Sequence, residues 1–232
     1  MIFTNRLIKG KLIKRYKRFF TDIKVNKEII TAHCPNTGSM LGLLNEDNEV
    51  WVSKNDDPKR KLKYTLEIIK VKNILVGVNT HLANKIVLEG LSNNYIKEFN
   101  NLDKVKPEVF YNKETRFDFL IKKKNRECFI EVKNVTLFRN GMVAEFPDSP
   151  TTRGSKHLIT LIDAKNKGFK SYVIFLVQIE KMTKFKIARD LDKNYYNNYL
   201  LAKKSGVQFL AYRCKIDPKE IKIERKLEII DE

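Results

Sequence analysis

The chain has 232 residues, and its 46 Lys and Arg against 28 Asp and Glu leave a formal charge of +18. With 42% hydrophobic and 10% aromatic residues it has ample apolar material for a core, which excludes wholesale disorder. The longest apolar run, Tyr172 to Val177 with Ile179 beyond, falls far short of the roughly 20 residues that cross a bilayer.

From Asn5 to about Asn79 the residues read as short strands: Gly10 to Tyr16, Phe19 to Val25, Glu28 to His33, Glu49 to Val52, Leu62 to Val71 and Ile74 to Val78. Turns such as Pro35-Asn36-Thr37-Gly38 separate them, so a small barrel or sandwich is expected over 1–79. Within it, Arg15-Tyr16-Lys17-Arg18-Phe19-Phe20 interleaves cations with rings, the mixture that follows a nucleic acid strand: charges on phosphates, aromatic faces on bases. The structural alternative is an ordinary strand with Tyr16 and Phe20 in the core, and at least one ring is expected to be buried. Trp51 is expected in the core. Asn36, Thr37 and Gly38 form a tight turn whose N–H groups are candidate phosphate contacts. His33-Cys34 is rejected as a metal site, since neighbouring strand residues face opposite ways.

After Asn79 the period changes. Leu82-Ala83, Ile86-Val87 and Leu91 recur at helical spacing, which opens a second domain over 80–232. Strands are expected at Glu108 to Tyr111, Arg116 to Lys122 and Glu127 to Val135, then an irregular stretch from Phe138 to Arg153. Ser155 is placed as the cap of a helix bearing Leu158, Leu161 and Ile162 and ended by Gly168. A strand over Tyr172 to Ile179, apolar enough to be buried on both faces, a helix over Lys193 to Lys204 and a strand over Val207 to Cys214 complete an α/β layer with a mixed sheet.

The chemistry concentrates in Arg116-Phe117-Asp118-Phe119 and Phe129-Ile130-Glu131-Val132-Lys133-Asn134. Residues two apart on a strand share a face, so Glu131 and Lys133 project together, and Asp118 at the matching pleat stands beside Glu131. Paired carboxylates of this kind suit Mg²⁺ or Mn²⁺, and an adjacent lysine stabilises charge as a phosphodiester is attacked. The alternative is a cross-strand salt bridge on a wet face. Arg153, Lys156 and His157 bracket a helix start, where phosphate is attracted, and Arg116 lies beside Asp118; these four are candidate nucleic-acid contacts. Against all of this stands a bland reading of the charge, in which the lysines are merely solvated. Three scattered cysteines with no C-x-x-C pair speak against disulfides and zinc. Arg6, Lys9, Lys11 and Lys14 interrupt any secretory apolar run, so a cytoplasmic location without membrane attachment is expected.

Blocks spread along the chain resemble the sugar fermentation stimulation protein family: Arg15 to Phe19, His33 to Gly38, Val78-Asn79-Thr80 with Ala83-Asn84, Arg116 to Phe119, Ile130 to Leu137, and Phe146-Pro147-Asp148 with Arg153-Gly154 and Lys156-His157-Leu158. The resemblance implies an N-terminal OB-fold domain and a C-terminal domain similar to the PD-(D/E)xK nucleases, in a DNA binder linked to sugar utilisation. The nuclease pattern falls on Asp118 and Glu131 as metal ligands and on Lys133 as the catalytic lysine. Many such nucleases add a glutamate from the first helix; here that segment offers Asn84, with Glu89 or Glu108 as alternatives. The expected activity is metal-dependent endonucleolytic cleavage of DNA, with RNA a less favoured ligand; scaffolds of this sort often dimerise, but no interface stripe marks a homodimer here, and the oligomeric state stays open. The competing expectation is a non-catalytic DNA-binding regulator that keeps the nuclease scaffold.

Overall fold

In the computed structural model, which describes residues 1–231, alternation along the first six strands sorts residues into a barrel. The strands are β1 (Ile8–Tyr16), β2 (Phe20–Val25), β3 (Glu28–His33), β4 (Glu49–Lys54), β5 (Tyr64–Val71) and β6 (Ile74–Gly77). Their order is β3-β2-β1-β4-β5-β6, and a parallel pairing of β3 with β5 closes the first five strands into a ring. Leu12, Ile23, Ala32, Val50, Val52 and Leu66 fill it. Closure leaves no free edge among these five strands. The sequence-based barrel expectation therefore holds, as an OB fold.

The second layer begins at α1 (Ala83–Ser92) and continues through β7 (Lys104–Phe110), β8 (Arg116–Lys123), β9 (Arg126–Val135), β10 (Leu137–Phe138), β11 (Val143–Phe146), α2 (Thr152–Asn166), β12 (Lys170–Val177), β13 (Lys184–Ile187), α3 (Lys193–Lys204), β14 (Gln208–Ile216) and β15 (Ile221–Ile229). The strands form one mixed sheet in the order β10-β11-β13-β15-β14-β12-β9-β8-β7. β12 sits in its middle, parallel to β9 and β14, and is buried from Ser171 to Val177. Tyr172, Ile174 and Leu176 join the cluster under α1, whereas Val173, Phe175 and Val177 join the one under α2 and α3.

Several expectations are corrected. The stretch 138–153 is not irregular throughout, since β10 and β11 pair within it, and β13 and β15 were not anticipated. The cap of α2 is Thr151, whose hydroxyl accepts from Gly154 N at 3.1 Å; Ser155 lies inside the helix. Gly168 ends the helix at φ 94°, a conformation that favours glycine. Trp51 is half-buried under the Lys9 ammonium rather than enclosed. Neither Tyr16 nor Phe20 is fully buried: their rings stack across the hairpin with centroids 5.5 Å apart.

The two layers share backbone. Gly77 N donates to Gln178 O at 2.9 Å and Glu180 N to Leu75 O at 3.0 Å, so β6 continues into the segment after β12. Leu7 and Ile68 of the barrel region also join the apolar cluster beneath α1. This seam fixes where the barrel loops stand against the sheet.

Candidate metal and nucleic-acid site

The β8–β9 ladder runs from Lys123↔Arg126 to Phe119↔Ile130 and stops. One residue on, the Asp118 carboxylate takes over the ladder's role: Oδ2 accepts the Val132 N–H at 2.7 Å. Its other oxygen, Oδ1, accepts from Asn84 Nδ2 of α1 at 2.7 Å. Two donors fix the plane of the carboxyl. Even so its pKa is pushed up to about 6, first by burial and then by the charge of Glu131.

Glu131 is the buried partner. Lys133 Nζ stands 2.6 Å from its Oε1, and His157 Nδ1 of α2 contacts that same oxygen. Burial pushes the carboxyl up, but Lys133 and His157 together outweigh it and hold the group below the ordinary carboxylate range. The second oxygen, Oε2, is buried with no hydrogen-bond partner. A buried, ionised oxygen without a donor is costly unless something positive completes it. Asp118 and Glu131 thus supply hard oxygen donors whose mutual repulsion a divalent cation would relieve, and the donor set fits Mg²⁺ or Mn²⁺.

Arg153 Nε lies 3.4 Å from His157 Nε2. An ionised Glu131 can only accept, so the proton of this contact sits on Nδ1, which donates to it. Such a link from a third group orients a ligating carboxylate.

The other flank departs from a carboxylate-rich pattern. Asn84 turns its amide nitrogen, not its oxygen, toward Asp118 and toward Glu108 Oε1 at 3.2 Å, so as a metal ligand it would have to turn over. Glu108 sits opposite Asp118 on β7 at φ 55°, a left-handed conformation that costs a residue with a side chain energy, and is ion-paired with Arg116 at 2.8 Å. Among the described residues no group of three or more His, Cys, Asp or Glu is placed to hold a metal.

The remaining expected contacts fall into two groups. Lys17 and Arg18 form the left-handed tip of the β1–β2 hairpin (φ 46° and 61°), with Phe19 42% exposed beside them. Arg15, by contrast, is committed to the carbonyls of Arg18, Asn36, Gly38 and Ser39. Asn36 is buried and its Oδ1 accepts from Gly38 N at 2.9 Å, leaving Thr37 as the exposed residue of that turn. This loop, Arg18, Asn134 and Thr136 line a cleft of about 500 Å³ between barrel and sheet. Arg116, Arg153, Lys156 and His157 line a second groove, of about 730 Å³. Missed in the sequence were Phe110, which also lines this second groove, and the Tyr195 hydroxyl, buried without a partner and under the influence of Glu131. The alternation of Val109 and Phe110 gave a signal for the first. Nothing local gave one for the second.

Comparison with known proteins bears on both layers. The family model described as the SfsA N-terminal OB domain matches residues 13–78, and that described as the sugar fermentation stimulation protein RE domain matches residues 81–220. The chain is 70% identical over 231 residues to a sugar fermentation stimulation protein homolog from Pelagibacter ubique, covering 100% of each. It is 40% identical to the homolog from Bartonella henselae, over 97% of this chain and 100% of that one. A solved structure titled as Pyrococcus furiosus SfsA in complex with Ca²⁺ superposes with a TM-score of 0.91 at 22% identity, covering 100% of this chain and 98% of that one.

Proposed function

The chain belongs to the sugar fermentation stimulation protein family, and from that premise we propose that it is a DNA-binding phosphodiesterase dependent on Mg²⁺ or Mn²⁺. The observation that carries this reading is the state of Glu131: buried, ionised, braced at one oxygen by Lys133 and His157, without a hydrogen-bond partner at the other, and near enough to Asp118 for its charge to raise that carboxyl's pKa. Asp118 and Glu131 would hold the ion. Once bound, it would polarise the phosphodiester and lower the pKa of a coordinated water.

This chain's own residues supply the rest. Lys133 keeps a positive charge at the carboxylate pair, where negative charge accumulates on the phosphate oxygens during attack. His157 donates to Glu131 and so fixes which oxygen remains open. Arg153, in the first turn of α2, and Lys156, at the start of the second, hold flanking phosphates with help from the helix N-terminus. The barrel contributes Lys17, Arg18 and the exposed rings of Tyr16 and Phe19 along the path of the strand. That the superposing Pyrococcus furiosus structure is titled as a complex with Ca²⁺ supports the binding of a divalent cation by this fold.

A second reading, a non-catalytic DNA-binding regulator, draws on Asn84: its amide N–H, rather than a carboxylate, faces Asp118. A cleavage assay separates the two. Supercoiled and single-stranded DNA should be cut with Mn²⁺ and left intact with EDTA, and Glu131→Gln should abolish cutting while DNA binding persists. Intact DNA under every divalent ion, with binding retained, would favour the regulator.

A further inference from the structure

The groove beside the carboxylate pair carries an aromatic ring that packing does not explain. β7 is the edge strand of the nine-stranded sheet, and its last two residues alternate: Val109 packs against the core, while Phe110 points out and is 68% exposed. Single exposed apolar residues are ordinary on a protein surface, but among the described residues Phe110 is the most exposed aromatic ring and it lies in a groove lined by cations. Across the strand pair the Arg116 guanidinium lies over the ring, 5.8 Å from its centroid, leaving the rest of it open to the groove. The same groove of about 730 Å³ is lined by Arg153, Lys156 and His157, so it reaches the side chain that holds Glu131. Its lining carries three cations, Arg116, Arg153 and Lys156, against one carboxylate, Glu114.

A flat apolar ring flanked by arginines and a lysine complements one chemical class closely: a nucleobase whose neighbouring phosphates lie against the cations. In a duplex each base face is covered by its neighbours in the stack, so a side-chain ring finds a free face only on an unpaired base. We propose that Phe110 is a stacking platform for an unpaired base next to the reacting phosphate, and that this groove accordingly selects single-stranded DNA over duplex. This rests on the phosphodiesterase reading for the position of the reacting phosphate, but the stacking itself is measurable without cleavage.

The test is fluorescence anisotropy of a labelled single-stranded oligonucleotide and of its duplex, in EDTA so that neither is cut. Phe110→Ala should weaken single-strand binding roughly five- to hundredfold, the range one base–ring stack supplies, and change duplex binding less than about twofold. Phe110→Tyr should restore single-strand binding. RNA of the same sequence, run alongside, should lose affinity no more than the DNA does; a loss confined to RNA would overturn the assignment to DNA. Unchanged single-strand binding in Phe110→Ala, or equal losses on both DNA forms, would overturn the proposal. Absence of Mn²⁺-dependent cutting with the selective binding loss intact would instead remove the phosphodiesterase reading and leave the platform standing.

Discussion

Asp118 shows how much the arrangement costs the protein in the absence of a cation. Its pKa, about 6 in the folded state against an ordinary value of about 4, means that between those pH values the folded chain binds more protons than the unfolded one. Stability then falls as pH rises through this window, and the penalty is complete above pH 6. It amounts to about 3 kcal/mol at most, since each tenfold change in the carboxyl's proton affinity is worth about 1.4 kcal/mol. Replacing the charge should therefore stabilise the metal-free protein. Asp118→Asn should melt roughly 3–8 °C above the wild type at pH 7 and at nearly the same temperature at pH 4, by scanning calorimetry in EDTA. The variant keeps an oxygen for the Val132 N–H, and Asn84 can turn its amide over to pair with the new one. An offset that is the same at both pH values would contradict the account. The stabilisation would be the usual sign of a site whose geometry serves function at the expense of the fold.

At the scale of elements, the barrel's 36–40 loop is tied to the segment before α2. Met40 N donates to Asp148 Oδ2 at 2.9 Å, Ser39 Oγ donates to Asp148 O at 2.6 Å, and a Cβ on Gly38 would stand 2.4 Å from the same carboxylate. Asp148→Ala leaves the Met40 N–H without its acceptor, at a cost of about 1–3 kcal/mol. A lower urea midpoint with Asp148→Ala, partly restored by Asp148→Asn, is the expected outcome; an unchanged midpoint would show that the tie contributes nothing. Elements with long periodic or apolar runs were legible in the sequence, as the bounds of α3 and the double burial of β12 show. β13 was not, because Lys184-Phe185-Lys186-Ile187 is too short a run to establish alternation. β15 was hidden differently: Glu224 bulges out of its pairing with β14 and interrupts the period after Ile223. The juxtaposition of Asp118 with Glu131 could be read from the strand pleat, a local rule. The contact of His157 with Glu131 could not, because it depends on how α2 packs on the sheet.

For the molecule as a whole, a charge of +18 disfavours the approach of a free cation, yet the account requires one to bind. Screening reconciles the two. At physiological ionic strength the Debye length is about 8 Å, so distant lysines contribute little at the carboxylate pair, while the partly buried groups around it are screened far less. Among those close groups Lys133 opposes the cation; Asp118 and the open oxygen of Glu131 attract it. The basic surface then serves the other ligand, since each phosphate neutralised releases counterions and makes DNA affinity depend steeply on salt. The most direct test is a calorimetric titration of the protein alone with Mn²⁺ at pH 7.5, in wild type and in Asp118→Asn. The account predicts saturable binding in the wild type and at least a tenfold loss of affinity in the variant, even though the variant is the more stable fold. Equal affinity in both proteins, or no binding in either, would contradict it.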